Sequence, residues 1–549
     1  MRFFILSILF TSSVAAQPLA VTNTLSNNTV ADATDINQNF SDIVKGVNEK
    51  LSVDGDRANV VLGNGLTGNS PDTESAAGAD SGRYQVAVGW NSLLSNTAGG
   101  DNTAIGAFSM YSNTVGHQNV AVGNSALEGN TSGENNTALG AFALRGNDIG
   151  SDNTAVGTAA LHDNQGSENT AVGKLALYSN TVGERNTAVG VAALISNNTG
   201  SKNTATGRSA LFYNQSGGEN TANGDKALVY NIDGSGNTAV GYSSMESNIS
   251  GGPNTALGAG SLKHYTNGTQ NTAVGYYALA GYTANGDAPP ENWGDNNTAV
   301  GSNALSYNTT GKGNTAVGVD SALQNTTGRY NTAIGSSALF KNTTGTYNTA
   351  VGVQALEANT LGAQNVAVGV GSLQANTTGS LNTAMGNGAL YTVTTGSGNT
   401  AIGDSAGGGV TEGSSNTFIG QYTGTAVEDL FNSSALGFLA QISESNMIQL
   451  GNDSIEKVNT SGKLTTGDVT YPNTHGVDGQ VLGTTGSGEL VWVGTDDIIA
   501  QHTQELEEQV ASLQEQLKSQ QEELLAIVQS QQEQIAQLQR MVEHQFAAR

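Results

Sequence analysis

Six histidines, at positions 117, 162, 264, 475, 502 and 544, are the side chains best suited to ligate a metal or move a proton near neutral pH. No two stand at H-x-x-x-H spacing, and none has a carboxylate partner at ligand spacing, so surface positions are expected for all six. Asp404 and Glu412 are near each other in sequence, but they fall in turn chemistry where carboxylates are solvated. Acidic residues do not recur at one repeat position and no glycine-rich calcium nonapeptide occurs, so no ladder of metal sites is implied. A polysaccharide-cleaving enzyme would need an acid and a base converging on one face. The expectation is therefore no catalytic residue, no metal, no cofactor and no enzyme. Recognition by an exposed loop is the chemistry that remains. Between Asn271 and Asn297 a nine-residue insertion carries Tyr282, Asn285, Asp287, Pro289, Pro290, Glu291 and Trp293, a stiff aromatic-bearing segment. Loops on rigid scaffolds often carry function. The similar expansion from Asn64 to Tyr84 is rich in Ser, Asp and Gly and reads as plain loop.

The scaffold under that loop is a repeat. From Asn102 to Asn416 the phrase N-T-A-V-G-x-x-A-L-x-x-N-T-T-G-x-x recurs, almost always at a step of 17 residues. One step, Asn153 to Asn169, is 16, and the Asn271–Asn297 step is 26. So short a fixed period means stacked copies of one small unit, a solenoid. N-T-A-V-G reads as a strand, with Thr and Val on one face and Ala on the other. The following Gly suits a sharp bend or a close approach between coils. The A-L pair, as at Ala126-Leu127, reads as the start of a second strand. N-T-T-G reads as a turn in which Asn tolerates positive φ and bonds its own backbone. Stacking then places Asn on Asn in amide ladders and Leu on Leu in an apolar column. Each buried Leu contributes roughly 1.5–3 kcal/mol, which one unit alone cannot realise. Degenerate copies extend the pattern to Asn59–Gly63 and Gln85–Gly89 upstream, and to Ser433–Gly437 and Met447–Gly451 downstream. At one strand spacing per rung the rod would be ~110 Å long.

Composition limits the partners. The 549 residues carry 46 acidic against 20 basic side chains, net −26, which disfavours nucleic acid and anionic membrane. With 73 glycines and 6 prolines the chain stays below the content that signals disorder. Cysteine is absent, so neither disulfides nor thiolate metal sites arise. Arg2, the apolar run Phe3 to Phe10 and the small residues Ser12 to Ala16 read as a secretory signal cut after Ala16, which implies export to a bacterial cell surface or medium. Eight apolar residues are too few to span a bilayer, and no self-evident membrane anchor follows.

Different material flanks the repeats. Residues 17–58 hold an amphipathic helix over about 35–51, with Ile36, Phe40, Ile43, Val44, Val47 and Leu51 on one stripe. The repeat domain spans 59–452, and a β-rich neck follows over 453–494. In that neck Gly479–Gly483 and Gly488–Trp492 predict a hairpin about Thr485-Gly486-Ser487. Over 495–549 there is no Pro, and apolar residues follow heptads: Ile499, Leu506 and Leu513 at d, Val510, Leu517 and Leu524 at a. Val528, Ile535 and Val542, with Leu538 between, continue the seam after a four-residue stutter. This predicts a self-associating coiled coil, with two or three strands both open.

The N-T-A-V-G-x-x-A-L units resemble the head repeats of trimeric autotransporter adhesins, the YadA-like heads, over about Asn59 to Gly451. The resemblance implies a left-handed parallel β-roll, three chains about a common axis and an adhesive function. Those heads use a shorter unit, near fourteen residues, so a larger coil is expected here. Asn446–Asn452 and the G-Q-V-L…G-S-G-E-L-V-W neck resemble segments of phage-tail-fibre-like surface proteins. The chain departs from both: it ends Phe546-Ala547-Ala548-Arg549 on a helix, without a terminal anchor of amphipathic strands or a self-cleaving chaperone domain. The leading expectation is a secreted or surface-associated homotrimeric rod that contacts cells, matrix, host protein or glycans. A fibre or appendage component docked through its coiled coil is the second. An ice-binding solenoid is the third, although it needs two aligned Thr per rung where the strand supplies one.

Overall fold

The structure is a computed structural model that describes residues 84–282, 294–458 and 476–548 except 485 and 488, together with short strands at Val53–Asp54, Arg57–Ala58, Val60–Leu62, Leu464–Thr466 and Val469–Tyr471. The signal-like run and the helix expected over 35–51 lie outside the described residues. The chain divides into two compact units after Asp453.

In the first unit 23 three-residue strands, from Val60–Leu62 to Ile448–Leu450, form one parallel ladder. Each strand pairs in register with the copy one repeat away, as Thr187 with Thr204 and Ala188 with Ala205. The first pairs only with Val86–Val88 and the last only with Ser434–Leu436, so the ladder is open at both ends. The degenerate copies at either end are genuine rungs. From Gly89 to Gly420 each ladder strand stops at Gly because the chain there takes φ of 127 to 150°, as at Gly123 and Gly140. A Cβ on Gly123 would also lie 2.5 Å from the Gly140 carbonyl oxygen of the next coil. Both conditions exclude a side chain.

Inside the coil the middle Ala of each strand, the Ala before Leu and the Leu itself are all fully buried, giving three stacked apolar columns. The second strand expected at Ala-Leu is not formed. Leu127 has φ 54° and Ser125 φ 52°, a pattern repeated at almost every rung, so this segment is a tight reversal. Its N–H groups still point along the stack: Leu127 N–H donates to Ala143 O at 2.9 Å. A 17-residue coil must close on itself, and left-handed residues let it curl without losing the inter-rung bonds. A left-handed leucine costs about 1–2 kcal/mol, and burying it contributes roughly 1.5–3 kcal/mol, so burial wins narrowly. The N-T-T-G Asn does bond its own backbone, Asn113 Nδ2 donating to Gly116 O, but it is fully buried and does not take positive φ.

Where a rung departs from the consensus, its neighbour compensates. Gly407 stands where Leu is expected, and Phe418, at the Ala position one rung on, fills the space and is fully buried. The second unit contains the predicted hairpin, observed as Gln480–Thr484 paired antiparallel with Leu490–Gly494. A single helix, α1 (Thr495–Ala547), continues from it. Thr495 N–H and Oγ1 both donate to Gly479 O, at 2.7 and 2.9 Å, which ties the helix start to the hairpin. Asp496 and Asp497 in its first turn complement the helix dipole.

Candidate binding surface

The most regular polar residues of the chain prove to be interior, which removes them as recognition groups. Asn119 is typical: its N–H and Nδ2 donate to Asn102 Oδ1 at 3.0 and 3.2 Å, and its Nδ2 donates also to Gly133 O at 2.9 Å. Its own Oδ1 accepts the same pair of bonds from Asn136. The N-T-T-G asparagines form a second ladder, with Asn113 Nδ2 donating to Asn96 Oδ1 at 2.8 Å and to Gly116 O at 3.1 Å. Every donor and acceptor of a first-ladder amide is used, so these columns hold the coils in register.

Three features face outward. The first is the strand face. From Val88 to Leu450 the third residue of every ladder strand is Val, Ile, Leu or Met, except Thr206 and Asn223. Many of these side chains are exposed, among them Ile105, Leu139, Val189, Leu257, Ile334, Met385 and Ile402. Beside this apolar column runs one column of half-exposed Thr, as at Thr137, Thr154 and Thr315. Most rungs therefore offer Thr with an apolar residue; among the described rungs only Thr204 with Thr206 makes the Thr pair that ice binding calls for, and it is not repeated.

The second is the edge that follows the buried Leu. Tyr111, His162, Tyr178, Phe212, Tyr213, Tyr230, His264, Tyr307 and Tyr391 all fall one or two residues after that position. His162 and Tyr178 stack at 4.8 Å, Tyr213 and Tyr230 at 5.4 Å with planes 7° apart. His162 Nδ1 also lies 2.6 Å from Asp163 Oδ1, and on α1 His502 Nδ1 lies 3.4 Å from Glu505 Oε2, so two histidines do have a carboxylate neighbour. Beside the Tyr213–Tyr230 pair is a groove of about 480 Å³ lined by Gln215, Ile232, Ser247, Ile249 and Thr266.

The third is the insertion rung. Asn285, Asp287, Glu291 and Trp293 lie outside the described residues. Tyr282, where the insertion leaves the coil, sits against His264 at 5.0 Å, Tyr277 at 5.6 Å and Tyr307 at 6.3 Å. Burial and the neighbouring Tyr277 hydroxyl push its phenol above the ordinary range. Burial and then the Lys263 charge hold His264 below its usual value. The rung below explains how the solenoid survives the interruption. Tyr265 occupies the second-ladder position, buried, and its hydroxyl accepts from Asn308 Nδ2 at 2.8 Å, two rungs away. The long phenol thus spans the rung that has no Asn. Sequence reasoning missed this, although a Tyr in phase with the Asn column was its visible signal.

Among the described residues no cluster of three or more His, Asp or Glu is placed to hold a metal, and no helix is long and apolar enough to cross a membrane. Along α1 the predicted seam, Ile499, Leu506, Val510, Leu513, Leu517, Leu524, Val528, Ile535, Leu538 and Val542, is 41 to 63 % exposed, and no residue of the helix is buried. No protein-family model and no curated protein matches the chain.

Proposed function

We propose that this chain is an exported, homotrimeric, rod-forming adhesin-like protein, similar in plan to a trimeric autotransporter head but closed by a coiled coil. The observation that carries the reading is the pair of unsatisfied apolar stripes. One is the Val/Ile/Leu column on the strand face; the other is the seam of α1. Each runs most of the length of its element, the seam with one stutter and the column with two polar residues, and each is the wrong size and shape for a small ligand. A second and third copy of the same chain match both, because a parallel arrangement sets every rung against its own counterpart. Contact with cells, matrix, host protein or glycans would then fall to the edges that remain in solvent.

The absence of cysteine gives a direct test. A Val317→Cys chain carries one thiol on the apolar column, and mild oxidation should link copies into covalent dimers. Thr344→Cys, in the turn after the second Asn ladder, should not. Sedimentation equilibrium on residues 17–549 should return the mass of three chains. A monomeric mass, or equal crosslinking at both positions, would sink the proposal. The exposed seam of α1 also favours a second reading, a fibre component docked through its helix. Loss of surface retention on deleting 496–549, with the three-chain mass intact, would decide for it.

A further inference from the structure

The aromatic edge holds one place where a ligand fits better than a neighbouring coil does. Tyr213 and Tyr230 stand one rung apart with their rings stacked, and Phe212 props Tyr213 edge-on at 4.7 Å. Both tyrosines are about half exposed. In the next rung the same position is Ser247, a small residue, so the stack is interrupted and one face of the Tyr230 ring has no aromatic partner above it. The groove of about 480 Å³ lies at this interruption. Its volume is in the range of small-ligand sites. Exposed Ile232 and Ile249 give it an apolar side, and the Gln215 amide and the Ser247 hydroxyl give it uncharged hydrogen-bonding groups. No charged side chain lines it.

Ring faces beside uncharged donors and acceptors suit a ligand that is itself ringed, amphipathic and neutral. A pyranose presents an apolar C–H face to an aromatic ring and a rim of hydroxyls to amide and hydroxyl partners. Anionic ligands are opposed twice, by the absence of a cation in the groove and by the net charge of −26. The solenoid adds a further match. Its outward positions repeat at one strand spacing, ~4.8 Å, so a chain of sugars laid along the edge crosses the Tyr213, Tyr230 and Ser247 positions in turn. We propose that the Tyr213–Tyr230 groove, with Ser247 as the gap in the aromatic row, is a binding site for a neutral polysaccharide. This deepens the adhesin-like reading, on which it rests, by naming the surface and the ligand class.

The test is gel mobility of the full chain through matrices containing neutral polysaccharides: a β-glucan, a soluble chitin derivative, a galactomannan and a mannan. At least one is expected to retard the chain. Tyr230→Ala, which removes the open ring face, should reduce the apparent affinity tenfold or more. Ser247→Trp, which fills the gap while leaving both tyrosines, should do the same. Tyr347→Ala serves as the control: Tyr347 stacks on Tyr330 at 5.2 Å and is also exposed, but neither ring lines this groove, and retardation should be unchanged. Circular dichroism shows whether each variant keeps the fold. Absence of retardation by all four polysaccharides overturns the proposal, as does equal loss in Tyr347→Ala. Sedimentation mass separates this failure from that of the oligomer: a trimer that ignores every glycan removes the groove alone, and a monomer that binds one removes the trimer alone.

Discussion

The rod and the helix that follows it solve the problem of burial in opposite ways. Most internal rungs hide two alanines, or an alanine and a serine, with one leucine or its equivalent and one or two asparagines, against their own neighbours. The rod's core is complete within one chain, apart from the outward column. The helix α1 hides nothing: 53 residues contain no buried side chain, and its apolar positions are all in solvent. A repeat can bury its side chains against the copies before and after it. A single helix has no such neighbours; in the proposed trimer it finds them in other copies of the chain. On that proposal the stability of the rod is intrinsic and that of the helix depends on concentration.

The sharpest way to break the contrast is to attack one ladder amide. Asn186→Ala removes the acceptor of the Asn203 N–H and Nδ2, and the donor to Asn169 Oδ1 and to Gly200 O. Several buried groups lose partners at once, and a loss of roughly 3–5 kcal/mol is expected. Denaturant unfolding should show the midpoint fall and the transition split, because the rod on either side is linked only through this rung. Gln529→Ala on α1, exposed and off the apolar seam, should shift the midpoint by no more than about 0.5 kcal/mol. If the two substitutions cost the same, the ladders do not hold the rod.

Dilution gives the next effect. With seam burial coming from other copies, the helical signal should fall with chain concentration while the β signal of the rod persists. Leu517→Asp should abolish the concentration dependence by removing the association itself. A helical content constant from micromolar to nanomolar would mean that α1 stands alone.

The rest of the contrast concerns legibility. The period, the Leu column, the first Asn ladder, the hairpin and the extent of α1 were all readable, because each follows from a residue type recurring at fixed phase. The Ala-Leu reversal was not. Local propensity places Leu in strand or helix, and only closure of the coil makes a left-handed Leu acceptable. The Tyr265–Asn308 bond joins residues 43 apart across an interrupted rung, and the exchange of Leu for Gly407 and Ala for Phe418 balances volume between rungs. Such compensation requires knowing which positions are stacked. The aromatic edge was hidden for the same reason: its residues vary in type, although Tyr213 and Tyr230 are one period apart.

A smaller effect is expected on the outward column. Thr206 and Asn223 are its two polar residues, in adjacent rungs, and Asn223 pairs in register with Val240 and Thr206. Buried between copies they would cost stability and specify register, as a polar core residue does in a coiled coil. Asn223→Val should tighten association and raise the dissociation temperature by a few degrees, while admitting off-register species visible as broadened sedimentation. A lowered temperature would place this column in solvent.

The smallest effect comes from ion pairs, and it probes register from outside. Arg145–Glu128, Arg185–Glu168, Lys202–Glu219, Arg208–Asp225 and Lys312–Asp295 each join neighbouring rungs. Burial pushes the Asp295 carboxyl up, but hydrogen bonds from Lys312 and Thr269 outweigh it and hold the group below its usual value. A carboxyl depressed in the folded state stabilises above its unfolded pKa, and that contribution fades as pH falls through the folded one. The pair is solvent-accessible, so it contributes about 0–1 kcal/mol, less at high salt. Thermal midpoints should therefore decline slightly on acidification below the ordinary carboxylate range, and Lys312→Met should flatten part of that decline. The uncharged Asn ladders do not titrate there. A collapse of the rod over this pH range would assign to surface charge a task that the amides are positioned to perform.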